Sequence, residues 1–261
     1  MIKIAFAGKG GSGKSSISGT FARVVARQGK PVLALDSDPV PGMPYALGIP
    51  VDDSPTPDDV VVEGPEDGPR WVLRPGLDAE QFIERYAAVG PGGVRYLQFG
   101  NTWGHVSTLQ RAQFAWSQVV KEMDPTAWNV VGDLPGGTRQ AMFGWAKYAN
   151  LMAIVVEPNP KSIHVGRRLR NISKAEWAPA NVVVVANKVE IPSDAERIQE
   201  QLDLPVIGVV PADASVTAAD KLACAPLDYS AGPFVEAIEA LVATVEEAYD
   251  DEATTVQHRS A

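Results

Sequence analysis

Apolar positions divide this chain into short continuous runs separated by amphipathic stretches. Residues 2–7, 31–35, 128–132, 151–156, 182–186 and 206–210 are apolar at nearly every position. A strand that alternates apolar and polar residues keeps one face in water, whereas a strand without alternation is buried on both faces, as inner strands of a parallel sheet are. Between the runs, apolar residues return every three or four positions, as in 15–28, where Ile17, Phe21, Val24 and Val25 form one helical stripe. Segments of the same kind occupy 109–123, 139–148, 162–174 and 194–202. Strand followed by helix, repeated, predicts an α/β fold with a doubly wound, mostly parallel sheet and helices on both faces.

Residues 50–104 break this rhythm. They are rich in Pro, Gly and Asp around two short strand candidates, 71–73 and 94–98, and read as an insertion laid over the edge or face of the sheet. A terminal helix is predicted over 234–249, followed by a polar, patternless stretch at 250–261 that reads as a frayed tail. The organisation expected is one domain over 1–249, carrying the insertion, and a disordered end.

Charge and cysteine usage narrow the functions open to such a fold. Lys and Arg number 23 against 32 Asp and Glu, a formal charge of −9, which argues against a broad nucleic-acid surface. The lone cysteine, Cys224, allows neither a disulfide nor a two-thiolate metal site within one chain. No stretch approaches the roughly 18 apolar residues of a membrane span, and the apolar start is too short for a signal peptide, so a cytoplasmic location is expected.

The chemistry gathers where the first strand meets the first helix. Gly8-Lys9-Gly10-Gly11-Ser12-Gly13-Lys14-Ser15 satisfies the phosphate-loop pattern G-x-x-x-x-G-K-[ST] in its required context, after a strand and opening a helix. Glycines let the backbone curl so that successive N–H groups face the phosphates, and the helix N-terminus adds partial positive charge. Lys14 is placed to bridge β- and γ-phosphate oxygens and Ser15 to bind Mg²⁺, with Ser16 next in the same nucleotide-binding loop. The second predicted strand ends in Asp36-Ser37-Asp38-Pro39 and the third in Asp133-Leu134-Pro135-Gly136-Gly137, which puts carboxylates at the sheet edge where ligands bind. Asp36 is read as supporting Mg²⁺ or its water shell, or alternatively as capping the following turn.

Lys9 is not needed to hold nucleotide in its own subunit, where Lys14 already serves. A K-G-G-x-G-K-[ST] loop of this kind resembles the deviant Walker A family, which includes the ParA and MinD positioning ATPases, the nitrogenase iron protein and the arsenite- and tail-anchor-handling ATPases. The resemblance implies ATP and Mg²⁺ as ligands and an ATP-dependent homodimer in which Lys9 crosses to the phosphates of the other subunit, much as an arginine finger does. It further implies that Asp38, of the Asp38-Pro39 pair, orients or deprotonates the attacking water. Lys9, Lys14 and Asp38 are therefore the candidate catalytic residues. Asp133 then looks like a Walker B aspartate that holds a water on Mg²⁺, with Pro135 and Gly136 or Gly137 forming a switch that offers an N–H to the γ-phosphate. The family's adenine site maps onto Asn187-Lys188 and onto Pro211-Ala212-Asp213. Here Asn187-Lys188-Val189-Glu190 lacks the N-K-x-D pattern, so adenine rather than guanine is implied.

Within that family the chain resembles the ATPases that mature carbon-monoxide dehydrogenase by nickel insertion, of CooC type. The stretches that carry the likeness are Ala5 through Gly11, LMAIVVEPNPKS at 151–162, VVVVANKV at 182–189, and 206–211. Those ATPases carry a Cys-x-Cys pair after the insertion, where this chain reads Phe99-Gly100-Asn101-Thr102-Trp103-Gly104-His105-Val106. A thiolate metal site is thus excluded, and the same absence excludes an iron-sulfur cluster between subunits. His105 alone is read as an ordinary polar or core residue, and no metal beyond Mg²⁺ is expected. The acidic Val245-Glu246-Glu247-Ala248-Tyr249-Asp250-Asp251 is unlike a membrane-surface helix, and Gly166-Arg167-Arg168-Leu169-Arg170 reads as a solvated helix face rather than a DNA stripe. The function expected is an ATP-hydrolysing homodimeric switch acting on a client enzyme, possessing neither a membrane helix nor a nucleic-acid surface. Three alternatives stay open: a ParA- or MinD-like positioning ATPase, a non-hydrolysing adaptor, and a ligase that phosphorylates a small carboxylate.

Overall fold

The computed structural model describes residues 1–38, 40–52, 57–98, 106–138, 146–173 and 181–259. Pro39, the Phe99 to His105 stretch and most of the helix expected over 139–148 therefore lie outside the described residues; 146–148 form a turn.

An eight-stranded sheet forms the centre of the molecule, in the order β10-β9-β8-β1-β7-β2-β6-β5. Its strands are β1 (Lys3–Gly8), β2 (Val32–Asp36), β5 (Ala88–Val89), β6 (Arg95–Gln98), β7 (Asn129–Asp133), β8 (Leu151–Val156), β9 (Asn181–Val189) and β10 (Val206–Pro211). All neighbours pair in parallel except β5, which runs antiparallel to β6 at one edge. All six apolar runs are strands of this sheet.

Alternation of side chains across the pleat divides each inner strand between two cores. Ile4 and Phe6 of β1, with Leu151, Ala153 and Val155 of β8, face α1 (Lys14–Arg27) and the terminal helix α9 (Pro233–Arg259). Ala5 and Ala7, with Met152, Ile154 and Val156, face α5 (Pro160–Ser173) and α6 (Pro192–Leu202). Leu33, Leu35 and Val130 continue that second face beneath α3 (Ala79–Tyr86) and α4 (Val106–Glu122). Helices thus cover both faces, which is why these strands are apolar throughout rather than alternating.

Both strand candidates within 50–104 form strands, and residues 95–98 become β6, which pairs in parallel with β2, Leu33 opposite Arg95 and Asp36 opposite Gln98. The strand is short and Arg95 and Gln98 are polar, so its pattern lacked the apolar continuity of the inner strands. Among the described residues, β3 (Val61–Glu63) and β4 (Trp71–Leu73) stand apart from this sheet, as an antiparallel hairpin. Arg70 and Arg111 stand over the Trp71 ring, at 5.1 and 4.8 Å from its centroid, and Arg111, from α4, fastens this hairpin to that helix. At the other end, α9 continues to Arg259, past the Tyr249 position where a frayed tail was expected.

Shorter helices among the described residues are α2 (Met43–Leu47), α7 (Ala214–Lys221) and α8 (Pro226–Tyr229). No helix among the described residues is long and apolar enough to cross a membrane.

Candidate nucleotide site

Because its inner strands are parallel, the sheet delivers their C-terminal ends to one edge, bringing together Gly8, Asp36, Asp133, Glu157, Asn187 and Pro211. The phosphate loop starts at this edge and closes into α1. Gly13 is the N-cap of α1, with φ 89°, and a Cβ there would lie 2.3 Å from Asn187 Nδ2. Left-handed backbone and lack of room both demand glycine. Lys14, the first residue of the helix, is buried within the loop.

Ser15 Oγ donates to Asp133 Oδ2 at 2.5 Å, which joins the start of α1 to the end of β7. The other oxygen, Asp133 Oδ1, is buried and has no hydrogen-bond partner among the described residues. Burial raises the Asp133 carboxyl to about 6, opposed by the charge of Lys14 and the Ser15 hydrogen bond. Asp36 lies alongside with 0% exposure, and burial followed by the charge of Asp133 raises its pKa well above the usual range. Two buried carboxyls whose charged forms burial disfavours are groups that a bound cation would stabilise in the ionised state. The free oxygen, the serine hydroxyl and the hard-oxygen character of the set fit Mg²⁺.

Each oxygen of Asp36 holds a backbone N–H: Oδ1 that of Asp38 at 2.9 Å, Oδ2 that of Met43 at 3.2 Å. Asp36 therefore pins both ends of the segment between β2 and α2. Asp38 Oδ1 accepts from Val40 N at 3.0 Å. Ser37, overlooked in the sequence, sends both its N–H and its hydroxyl to Asp133 O at 3.0 Å and ties this segment to β7.

The Gly136-Gly137 segment lies directly on the phosphate loop. A Cβ on Gly136 would be 2.8 Å from Gly10 Cα, and Gly137 N donates to Gly8 O at 2.9 Å. The Gly137 N–H is thus committed to the loop backbone here, and of the two glycines proposed to meet a γ-phosphate Gly136 is the one without that commitment.

On the far side, Asn187 Nδ2 donates to Ser12 O at 2.7 Å and Lys188 Nζ to Gly11 O at 2.9 Å. Both residues, expected to frame the base, brace the loop in this structure. Lys188 holds a left-handed φ of 56° to do so. Asp213 accepts from Ser215 N at 2.8 Å and Phe234 N at 3.1 Å, so its carboxylate caps α7 and anchors the start of α9. Pro211 ends β10, and Ala212 N donates to Val189 O at 3.0 Å, which keeps the 211–213 loop beside Asn187.

Glu157 was not singled out from the sequence, although it is the first polar residue after a fully buried strand at the ligand edge. Its Oε1 meets Lys188 Nζ at 2.8 Å, and its Oε2 meets Lys9 Nζ at 3.4 Å and Asn159 Nδ2 at 3.3 Å. Lys9 Nζ also donates to its neighbour's carbonyl, Gly10 O, at 3.0 Å. Cavities of about 680 and 760 Å³ lie elsewhere, one around Lys3 and Tyr148 and one beside the hairpin, and neither includes a residue of the phosphate loop.

A doubly wound sheet with a phosphate loop, a serine joined to a strand-ending aspartate and a second aspartate segment beside them defines a P-loop nucleotide-binding protein. More narrowly, residues 3–222 match the CobQ/CobB/MinD/ParA nucleotide binding domain, and the chain belongs to that family. The carbon monoxide dehydrogenase accessory protein CooC of Rhodospirillum rubrum is 25% identical over 88% of this chain and 90% of its own. The antiactivator FleN of Pseudomonas aeruginosa is 24% identical over 80% of this chain and 72% of its own. The septum site-determining protein MinD of Pyrococcus horikoshii, solved with Mg-ADP, shares the fold with a TM-score of 0.70 at 16% identity, over 95% of this chain and 98% of its own.

Proposed function

We propose that this protein binds and hydrolyses ATP with Mg²⁺, closes as a homodimer while ATP is bound, and acts in that form on a client enzyme. The observation that carries the proposal is the convergence of Lys14, Ser15, Asp133 and Asp38 on one sheet edge, with Lys9 at the lip of the loop. Ser15 and Asp133 would hold Mg²⁺, with Asp36 behind them. When bound, Mg²⁺ neutralises phosphate charge. The chain's own contribution is positional. Lys14 and the N–H groups of the loop seat the phosphates, and Asp38 orients a water for attack on the terminal phosphoryl group. Gly136 gains a phosphate contact while ATP is present, and its contact with Gly10 passes that state to the 134–137 segment.

Lys9 supplies the dimeric element by reaching the partner's phosphates. A client enzyme is suggested by the accessory role printed in the name of the R. rubrum relative. The acidic composition near the C-terminus supports this reading over a membrane-surface or DNA-positioning one.

ATP turnover and light-scattering mass with ATP or ADP test the proposal. Lys14→Ala and Asp38→Ala are expected to abolish turnover, whereas Lys9→Ala retains nucleotide binding but stays monomeric in ATP. Undiminished turnover in either of the first two overturns the hydrolytic mechanism, and unchanged dimerisation of Lys9→Ala overturns the trans role.

A further inference from the structure

We infer that Glu157 is a positioning residue that latches Lys9 to its own subunit and must release it before the dimer closes; this rests on the trans role proposed for Lys9. The carboxylate lies at the end of β8 with its side chain only 12% exposed, held from behind because Glu157 N donates to Ser162 Oγ at 3.0 Å. Ser162 N in turn donates to Asn159 Oδ1 at 2.9 Å, and Asn159 Nδ2 donates to Glu157 Oε2 at 3.3 Å, so the acid is fixed by its own turn. The two lysines meet different oxygens. Lys188 Nζ makes the shorter contact, at 2.8 Å to Oε1, and remains attached to Gly11 O at 2.9 Å. Lys9 Nζ makes the looser one, at 3.4 Å to Oε2, and its side chain is 30% exposed.

This asymmetry divides the roles. Lys188 and Glu157 form a fixed brace across the apex of the loop, while Lys9 is held by a longer, solvent-screened ion pair of the kind that contributes little to stability and exchanges readily. Without a partner, Lys9 rests on Glu157. A partner's triphosphate presents more negative charge than one carboxylate that already shares its charge with Lys188, so the lysine transfers when ATP is bound opposite. With ADP the competing charge is smaller and Lys9 stays in cis. Glu157 thus sets a threshold that favours the monomer until both sites carry ATP.

The test is Glu157→Gln, which keeps the shape and one acceptor for Lys188 but removes the charge that holds Lys9. Releasing a long, partly exposed ion pair is worth roughly two- to five-fold in association, and a homodimer releases two, so the dimer dissociation constant in a slowly hydrolysed ATP analogue is expected to fall roughly 4- to 25-fold. Analytical ultracentrifugation reads this out, and Glu157→Asp, with a shorter but charged side chain, should restore part of the threshold. A loss of packing alone would weaken association or leave it unchanged, and either result in Glu157→Gln with an unaltered melting temperature overturns the latch. If the variant unfolds, raising ionic strength on the wild type with ADP serves instead: screening the pair should increase the dimer fraction, and a constant or reduced fraction overturns the proposal. The Lys9→Ala measurement stays separate, since its failure removes the trans role, whereas success there with no gain in Glu157→Gln removes only the latch.

Discussion

Ser15 Oγ and Asp133 Oδ2 stand 2.5 Å apart, although 118 positions separate them in the chain. This contact joins the two segments proposed to act on the same phosphate-bound cation. A hydroxyl and a carboxylate already together need little rearrangement to share one metal. Ser15→Ala is therefore expected to leave ADP affinity in EDTA nearly unchanged and to reduce the gain on adding Mg²⁺ by roughly 10-fold, the value of one hydrogen bond to a charged group. Titration calorimetry with and without Mg²⁺ measures both; an equal loss in the two conditions would mean that Ser15 serves the loop's shape instead.

The raised carboxyl of Asp133 makes a statement about stability. The folded protein retains this proton from the ordinary 3.8 up to about 6, while the unfolded chain has already released it. Its contribution is therefore complete below about pH 3.8 and is lost as pH rises through about 6. Asp133→Asn cannot titrate, so in EDTA its stability relative to wild type should increase across that window, by on the order of 2–3 kcal/mol. Urea unfolding at a series of pH values gives the difference, and a pH-independent one would refute the assignment.

Asn187 is expected to act first on the loop. Its Nδ2 satisfies Ser12 O at 2.7 Å in a buried setting, so Asn187→Ala leaves that carbonyl without its donor and costs about 1–3 kcal/mol. Chemical denaturation measures the loss. Competition between ATP and GTP then separates bracing from base recognition: weaker binding of both supports the brace, and a selective loss of ATP supports a direct base contact.

Trp71 tests the independence of the hairpin from the nucleotide site. Trp71→Ala removes the ring beneath Arg70 and Arg111 and the contact of β4 with α4, for an expected loss of roughly 2 kcal/mol. Hydrogen exchange should accelerate in β3 and β4 while nucleotide affinity stays within two-fold or so, as expected for sites without shared partners. A large fall in affinity would show that the hairpin couples to the loop.

The sequence by itself determined the inner strands, the phosphate loop and the aspartates that end β2 and β7. These are local properties: a strand buried on both faces must be apolar along its length, and a loop that wraps phosphate must carry glycine and lysine at fixed offsets. The strand candidate at 94–98 was legible, but its place in the main sheet was not, because a short strand with polar ends owes that place to pairing with β2. Tertiary structure alone decided the partners of the charged and amide side chains. Lys9 and Glu157 lie 148 positions apart and Asn187 and Ser12 lie 175 apart, and no local pattern records which residues a parallel sheet will bring to the same edge. Packing constrains the buried apolar positions through volume and area, whereas a hydrogen bond or ion pair depends on a few tenths of an ångström between atoms fixed by separate strands. For that reason the loop and its lysines were legible in the sequence, and the carboxylate that holds Lys9 was not.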